Sequence, residues 1–246
     1  MGMMEFEAKI TKILDYIDND RHTRVIRLNI PKNLGFNFST GQAAFLGHKN
    51  VTQVNDSTKL KWGVFSIASS HLDLEEEFME FCVTANTPTG IAYYISKNLG
   101  VGDSVIVKGA FGHYSLVENK DHYFFAATGS GIAPYIAMIR TLIKTNSNSK
   151  ITLFFGCRNP NTYLYKEELE KYAIENKLEL IPTFSRVEEN FNGNRGYVQE
   201  RIKEYNFDPV EKKVFYACGM PNFLDAVKEE VIKKGFSESE ILIEKW

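Results

Sequence analysis

The stretch YFFAATGSGIAPYIAMI, Tyr123–Ile139, constrains this chain more than any other. An apolar run passes into ATGSGIAP and then into a second apolar run that reads as a helix. Gly129 and Gly131 let the backbone turn sharply and approach a ligand with no Cβ in the way. The free N–H groups at the following helix start, at its positive dipole end, suit a pyrophosphate. The spacing is not the GxGxxG of a standard Rossmann fingerprint, and a tight turn that needs glycine for packing would look the same. The surroundings therefore decide.

From His122 onward, apolar runs at 122–127, 150–155, 178–183, 213–217 and 240–244 alternate with helical segments near 133–145, 166–175, 197–204 and 221–234. That alternation implies a parallel sheet with helices on both faces. Ahead of it the texture differs. Residues 5–17, 22–30, 41–46, 62–68, 78–85 and 103–109 are short runs rich in β-branched and aromatic residues, mostly separated by Gly, Asn, Asp or Pro. Such spacing argues for an antiparallel barrel or sandwich, with one helix at Thr89–Leu99. The expected boundary lies in the polar stretch Ser115–Asp121, giving domains 1–116 and 117–246.

Composition narrows the function. With a net charge of -2, nothing global points to nucleic acid or an anionic membrane. No apolar stretch approaches the roughly 18 residues of a membrane span, and no signal peptide or myristoylation motif is visible. The three cysteines, Cys82, Cys157 and Cys218, are far apart and form no CxxC. A disulfide framework and a structural zinc are not expected, and four-cysteine ligation of an iron–sulfur cluster within this chain is excluded. The expected compartment is the cytoplasm, and any metal centre in an electron-transfer chain would sit in a partner. The five histidines show no metal-ligand spacing; His113 is the one expected near a cofactor.

Three later segments also fall at predicted strand ends. LFFGCRNPNTYLYKEEL (Leu153–Leu169) ends a strand in a Gly-Cys-Arg loop. PTFSRVEENFNGNRGYVQERI (Pro182–Ile202) places Ser185, Arg186 and Arg195 in a loop, with Tyr197 just beyond. Two guanidiniums and a hydroxyl can hold a phosphate monoester, and a tyrosine face can stack on adenine. FYACGMPNFL (Phe215–Leu224) delivers Cys218 to a turn whose proline opens a helix. Open α/β sheets bind ligands at the carboxyl ends of their strands.

In this order, ATGSGIAP, FFGCRN, FSR…NRGY and ACGMP resemble the NADP-binding half of ferredoxin–NADP reductases and their relatives, and the resemblance covers most of residues 35–246. It implies an antiparallel FAD-binding β-barrel followed by a parallel-sheet NAD(P)-binding α/β domain, in a stand-alone form without an iron–sulfur domain. It further implies that Thr128, Gly129, Ser130 and Gly131 bind the dinucleotide pyrophosphate, and that Cys157, Arg158, Gly219 and Met220 line the same channel. Ser185, Arg186 and Arg195 match the 2′-phosphate grip and Tyr197 the adenine-stacking tyrosine, which favours NADP over NAD.

The first half carries the resemblance in FNFSTGQ, KWGVFSIAS, FCVT, GIAY and GDSVIVKGAFGHY. By it, Phe65 lies against the isoalloxazine and Ser66 points to flavin N5. Cys82, Val83 and Thr84 form the neighbouring flavin strand. Gly90, Ile91 and Ala92 open the helix that receives the FAD pyrophosphate. Two positions depart from the pattern: Gly63 stands where the family's R-x-Y-S motif has arginine, and Tyr93 where G-x-x-S has serine. Loss of a charge-assisted contact costs about 1.5–3 kcal/mol, so weakened FAD binding is expected, with FMN as the alternative. Lys61 is the substitute cation nearest in sequence, though an ammonium lacks the bidentate fork. At the end of ILIEKW, Glu244 and Trp246 fit the family's C-terminal spacing, with the terminal aromatic covering the flavin where nicotinamide docks.

The implied chemistry is hydride transfer between nicotinamide C4 and flavin N5, with Ser66, Cys218, Glu244 and Trp246 at the reacting centre. Single electrons then pass to a ferredoxin- or flavodoxin-like carrier. A monomer is expected. The alternatives are an NADH-linked reductase component of an oxygenase system, and a protein that keeps the fold without turnover.

Overall fold

The computed structural model describes residues 3–18, 21–207 and 212–245. The chain divides into two compact units, one running to Leu116 and also taking Ile136–Lys144, the other made of Val117–Tyr135 and the residues from Thr145 on.

The first unit contains β1 (Met4–Asp18), β2 (Arg21–Asn29), β3 (Ala43–Gly47), β4 (Thr52–Gln53), β5 (Asp56–Leu60), β6 (Gly63–Ser66), β7 (Phe78–Ala85), α1 (Gly90–Asn98) and β8 (Ser104–Phe111). Six strands pair antiparallel in the order β6-β3-β8-β1-β2-β7. An antiparallel bridge between Ile67 and Phe81 ties the two edges together, so the sheet is a nearly closed barrel. Along β8 burial alternates, with Val105 and Val107 inside. This is the period-2 signal of a strand with one buried face. The core also takes Ala8 and Ile10 from β1, Ile26 and Leu28 from β2, and Phe81 and Val83 from β7.

Helix α1 adds Ile91 and Ile95 to that core, and Leu99 follows at the same spacing of four. Three residues at that spacing form one stripe, and burying each stabilises the fold by about 1.5–3 kcal/mol. Arg24 fixes the far end of the helix by donating to the carbonyls of Ile95 (2.9 Å) and Leu99 (2.6 Å). These carbonyls have no intrahelical partner to rely on. The Arg24 guanidinium is held in turn by Asp15 at 2.8 Å, and His22 reaches the same carboxylate at 2.6 Å.

The second unit carries β9 (His122–Thr128), the opening of α2 (Ala133–Lys144), β10 (Lys150–Cys157), α3 (Lys166–Ile174), β11 (Glu179–Phe184), β12 (Asn194–Arg195), α4 (Val198–Glu204), β13 (Lys213–Gly219), α5 (Pro221–Lys233) and β14 (Ile241–Lys245). Its sheet is parallel throughout, in the order β12-β11-β10-β9-β13-β14. From β9 the chain steps outward through β10 to β12, then returns to β9's other side as β13 and β14. Tyr123–Ala127 are all buried, as expected for a strand covered on both faces. Phe215 of β13 stacks on Phe124 of neighbouring β9 at 6.1 Å and, beyond that strand, on Phe154 of β10 at 6.3 Å.

The fold class therefore matches the sequence reading, an antiparallel barrel followed by a parallel α/β unit. The hairpin β4–β5 and the two-residue β12 were not anticipated. Residues 136–144 group with the barrel for a visible reason. Arg140 donates to the Glu80 carboxylate at 2.8 Å and the Ala68 carbonyl at 2.9 Å, while the Thr141 hydroxyl meets Ser70 and Thr40.

Candidate functional site

In the second unit the strand order reverses between β9 and β13, the position where open α/β sheets hold ligands at their carboxyl ends. Both following loops are glycine-bearing. Gly129 has φ +53 and nothing within 4 Å of where a Cβ would stand, so its outer side is open. A Cβ on Gly131 would lie 2.7 Å from the Cys218 carbonyl oxygen, so glycine is required there for the β9 loop to pack on the end of β13. Thr128 sits at the hub. Its Cγ2 would be 2.9 Å from a Cβ on Gly156, and its Oγ1 3.0 Å from one on Gly219. Cys218 is buried beside it, with its thiol 3.9 Å from the Glu244 carboxylate on the paired residue of β14. Thr128, Gly131, Cys218, Gly219 and Glu244 thus come together. Ser130 shares the Thr128 loop, and Met220 is well exposed just beyond Gly219.

A second group forms where β10, β11 and β12 end. The Ser185 N–H donates to the Cys157 carbonyl at 3.0 Å, and the Arg186 N–H to the Arg158 carbonyl at 2.7 Å. Arg195 pairs in register with Phe184. These bonds extend the ladder past the strand ends and gather Arg158, Ser185, Arg186 and Arg195. Ser185, Arg186 and Arg195 are exposed. Arg195 donates to the Glu189 carbonyl at 2.9 Å. The Arg186 guanidinium has no hydrogen-bond or ion-pair partner among the described residues. Tyr197, the N-cap of α4, is 59% exposed. The arrangement offers cations and a bare aromatic face on one rim. Cys157 differs from its neighbours: it is buried, and burial pushes its thiol far above the ordinary range.

In the first unit, Phe65 and Ser66 end β6. Ser66 is 7% exposed, and its hydroxyl has no partner among the described residues. The oxygen itself is still reached by solvent, so it is open to a ligand. On β7, Val83 points into the core, while Cys82 and Thr84 alternate onto the other face. The Thr84 hydroxyl is engaged with Thr23 at 2.9 Å. Gly90 opens α1 with φ +86, and the N-cap Thr89 supplies no side-chain bond to the first turn. The Ile91 side chain belongs to the core, which leaves its backbone N–H for any ligand. Ala92 is half-buried in the same turn, and His113 is exposed. Trp246 lies outside the described residues.

The sequence reading did not single out Glu80 or Arg140, a buried ion pair. The signal was present: a lone acid in FMEFCV and a lone base in IAMIRTLI. Among the described residues no group of three or more His, Cys, Asp or Glu could hold a metal, and no helix is long and apolar enough to cross a membrane.

Comparison with known proteins bears directly on these loops. Residues 125–229 match the oxidoreductase NAD-binding domain family. The root isozyme 2 chloroplastic ferredoxin–NADP reductase of Arabidopsis thaliana is 31% identical over 155 residues, which cover 55% of this chain and 40% of that protein. Residues 125–229 therefore carry an oxidoreductase NAD-binding domain, and the chain is similar to ferredoxin–NADP reductases. It is also similar to NADH-cytochrome b5 reductase 1 of Neosartorya fischeri, 28% identical over 176 residues, covering 68% of this chain and 57% of that protein. The solved ferredoxin NADP+ reductase of Neisseria gonorrhoeae, with bound FAD and NADP, superposes with a TM-score of 0.79 over 98% of each chain at 17% identity, a likeness of fold. The chain spans 40% to 61% of the length of the curated relatives it matches.

Against the family's motif pattern, Gly63 now has a physical reason. A Cβ there would stand 2.5 Å from Ile91 Cγ2 and 2.7 Å from the Phe65 ring. The space a side chain would need is filled.

Proposed function

We propose that this chain is an NAD(P)H-dependent flavin oxidoreductase of the ferredoxin–NADP reductase type. The observation that carries the reading is the gathering of Ser185, Arg186 and Arg195 beside Tyr197, in the same unit as the glycine loop at the sheet's reversal point. In this reading residues 117–246 bind the dinucleotide: Thr128–Gly131 hold its pyrophosphate, and the exposed arginines grip the 2′-phosphate of NADP. Residues 1–116 bind FAD, with Phe65 against the ring system, Cys82–Thr84 along its edge and Gly90–Ala92 at its phosphates. Support for the fit comes from the unpartnered Ser66 hydroxyl and the uncapped first turn of α1.

FAD, when bound, exchanges a hydride for single electrons. The protein's part is placement. Ser66 offers a hydroxyl without a competing bond. Glu244 beside Cys218 holds a proton-carrying pair of side chains at the end of β13 and β14. Trp246 follows two residues later. A one-electron protein carrier, ferredoxin- or flavodoxin-like, takes the electrons. The three buried cysteines, none in a disulfide, accord with a reducing compartment such as the cytoplasm, and a monomer suffices for the scheme. An NADH-linked reductase is the second reading, favoured by the likeness to a cytochrome b5 reductase.

The test is the flavin absorbance of the purified protein with FAD, followed anaerobically with NADPH and then NADH. Bleaching by NADPH, much slower with NADH, is expected. Equal or faster bleaching by NADH would keep the enzyme and overturn the NADP assignment. No bound flavin and no bleaching would overturn the reductase reading itself.

A further inference from the structure

On the FAD reading above, the barrel unit holds a doubly charged pyrophosphate although glycine stands at the arginine position of the R-x-Y-S motif. Three facts bear on how. First, position 63 accepts no side chain, since Ile91 and the Phe65 ring stand 2.5 and 2.7 Å from where a Cβ would be. Second, the segment from Lys61 runs along the start of α1: Gly63 faces Ile91, and Lys61 faces Gly90, its Nζ and Cε each 3.7 Å from where a Gly90 Cβ would stand. Alternation along an extended chain puts residues 61, 63 and 65 on one face, so Lys61 reaches past the filled position to the same helix end. Third, the Lys61 ammonium has no hydrogen bond or ion pair among the described residues, though the residue is half-buried.

An ammonium beside the first turn of a helix is electrostatically unfavourable on its own, because both carry positive charge and the helix end is worth roughly +0.5 of an elementary charge. The arrangement becomes favourable only when an anion lies between them. We infer that Lys61 is the cation that binds the flavin's phosphate in this chain, displaced by two residues from the family's arginine. The inference rests on the FAD reading above. As a compact point charge, Lys61 neutralises a phosphate without the two-pronged geometry of arginine. It therefore discriminates flavins by phosphate charge.

The test is a titration of the flavin-free full chain, followed by flavin fluorescence quenching, with FAD and with riboflavin, which has the same ring system and no phosphate. Lys61→Met should weaken FAD about tenfold or more, as expected for loss of a charged contact, and leave riboflavin unchanged. Lys61→Arg should restore most of the FAD affinity. Because the Lys61 side chain makes no hydrogen bond or ion pair among the described residues, and its backbone bond to the Val51 carbonyl survives substitution, both variants should melt at the wild-type temperature, which controls for folding. Equal FAD affinity for wild type and Lys61→Met would overturn the assignment and leave the flavoprotein reading standing. A parallel loss of riboflavin affinity would also overturn it, pointing to the ring pocket. Failure of the wild type to bind either flavin would overturn the flavin reading and this inference with it.

Discussion

The Glu80 carboxylate is the clearest place to test the energetics of the barrel. It is 3% exposed and lies between two guanidiniums, with Oε1 2.8 Å from Arg140 Nη1 and Oε2 3.2 Å from Arg27 Nη2. The two arginines are unequal: the Arg140 side chain is 9% exposed and that of Arg27 31%. Glu80→Met takes the carboxylate away from the buried Arg140 cation, which destabilises by about 3–5 kcal/mol. For a chain of this length that corresponds to a fall in Tm of about 6–20 °C. Arg140→Met is milder. Glu80 keeps Arg27, and the main loss is the bonds to Glu80 and the Ala68 carbonyl, about 2–3 kcal/mol. The double variant replaces the pair by apolar side chains and should lose less than the sum of the singles by at least about 1.5 kcal/mol. Thermal melts by circular dichroism and urea unfolding, completed as a double-mutant cycle, measure all three. The reasoning fails if Arg140→Met costs as much as Glu80→Met, or if the two losses add.

Two further outcomes follow from named contacts. Gly131→Ala drives a methyl to 2.7 Å from the Cys218 carbonyl, which is backbone and cannot step aside; a loss of about 1–3 kcal/mol in unfolding free energy is expected, and an unchanged melt would refute the packing account. Burial pushes the Asp15 carboxyl up, but Arg24 and His22 outweigh it and hold the group below its ordinary 3.8. Its stabilising effect is thus full above about pH 4 and is lost as pH falls through the lower folded value, so Asp15→Asn should flatten the acid limb of the stability profile, and an unchanged limb would count against the pairing.

Much of the architecture was legible because periodicity reports burial directly. The apolar run of β9 and the spacing of Ile91, Ile95 and Leu99 can be read from one line of text. The β4–β5 hairpin could not, since QVNDSTKL is mostly polar and carries no one-sided pattern. The two-residue β12 is equally silent, and only pairing with β11 makes it a strand. At the nucleotide loops the glycines and arginines were visible as types, whereas the ladder that brings Ser185 to Cys157 needed the fold. Gly63 shows the limit most clearly. The sequence marks it as a departure, but the atom that excludes a side chain belongs to Ile91, on a helix far along the chain.

That contact also shapes how the protein could change over time. Placing an arginine at 63 by one substitution would collide with Ile91 and the Phe65 ring, so that step needs a smaller residue at 91 at least. Shrinking Ile91 first opens a cavity beneath α1, a loss that no gain at 63 has yet offset. Each single step lowers fitness for folding, and only the pair is tolerable. A chain that carries Gly63 is therefore held there by its own core, and single-substitution paths to an arginine at this position are closed.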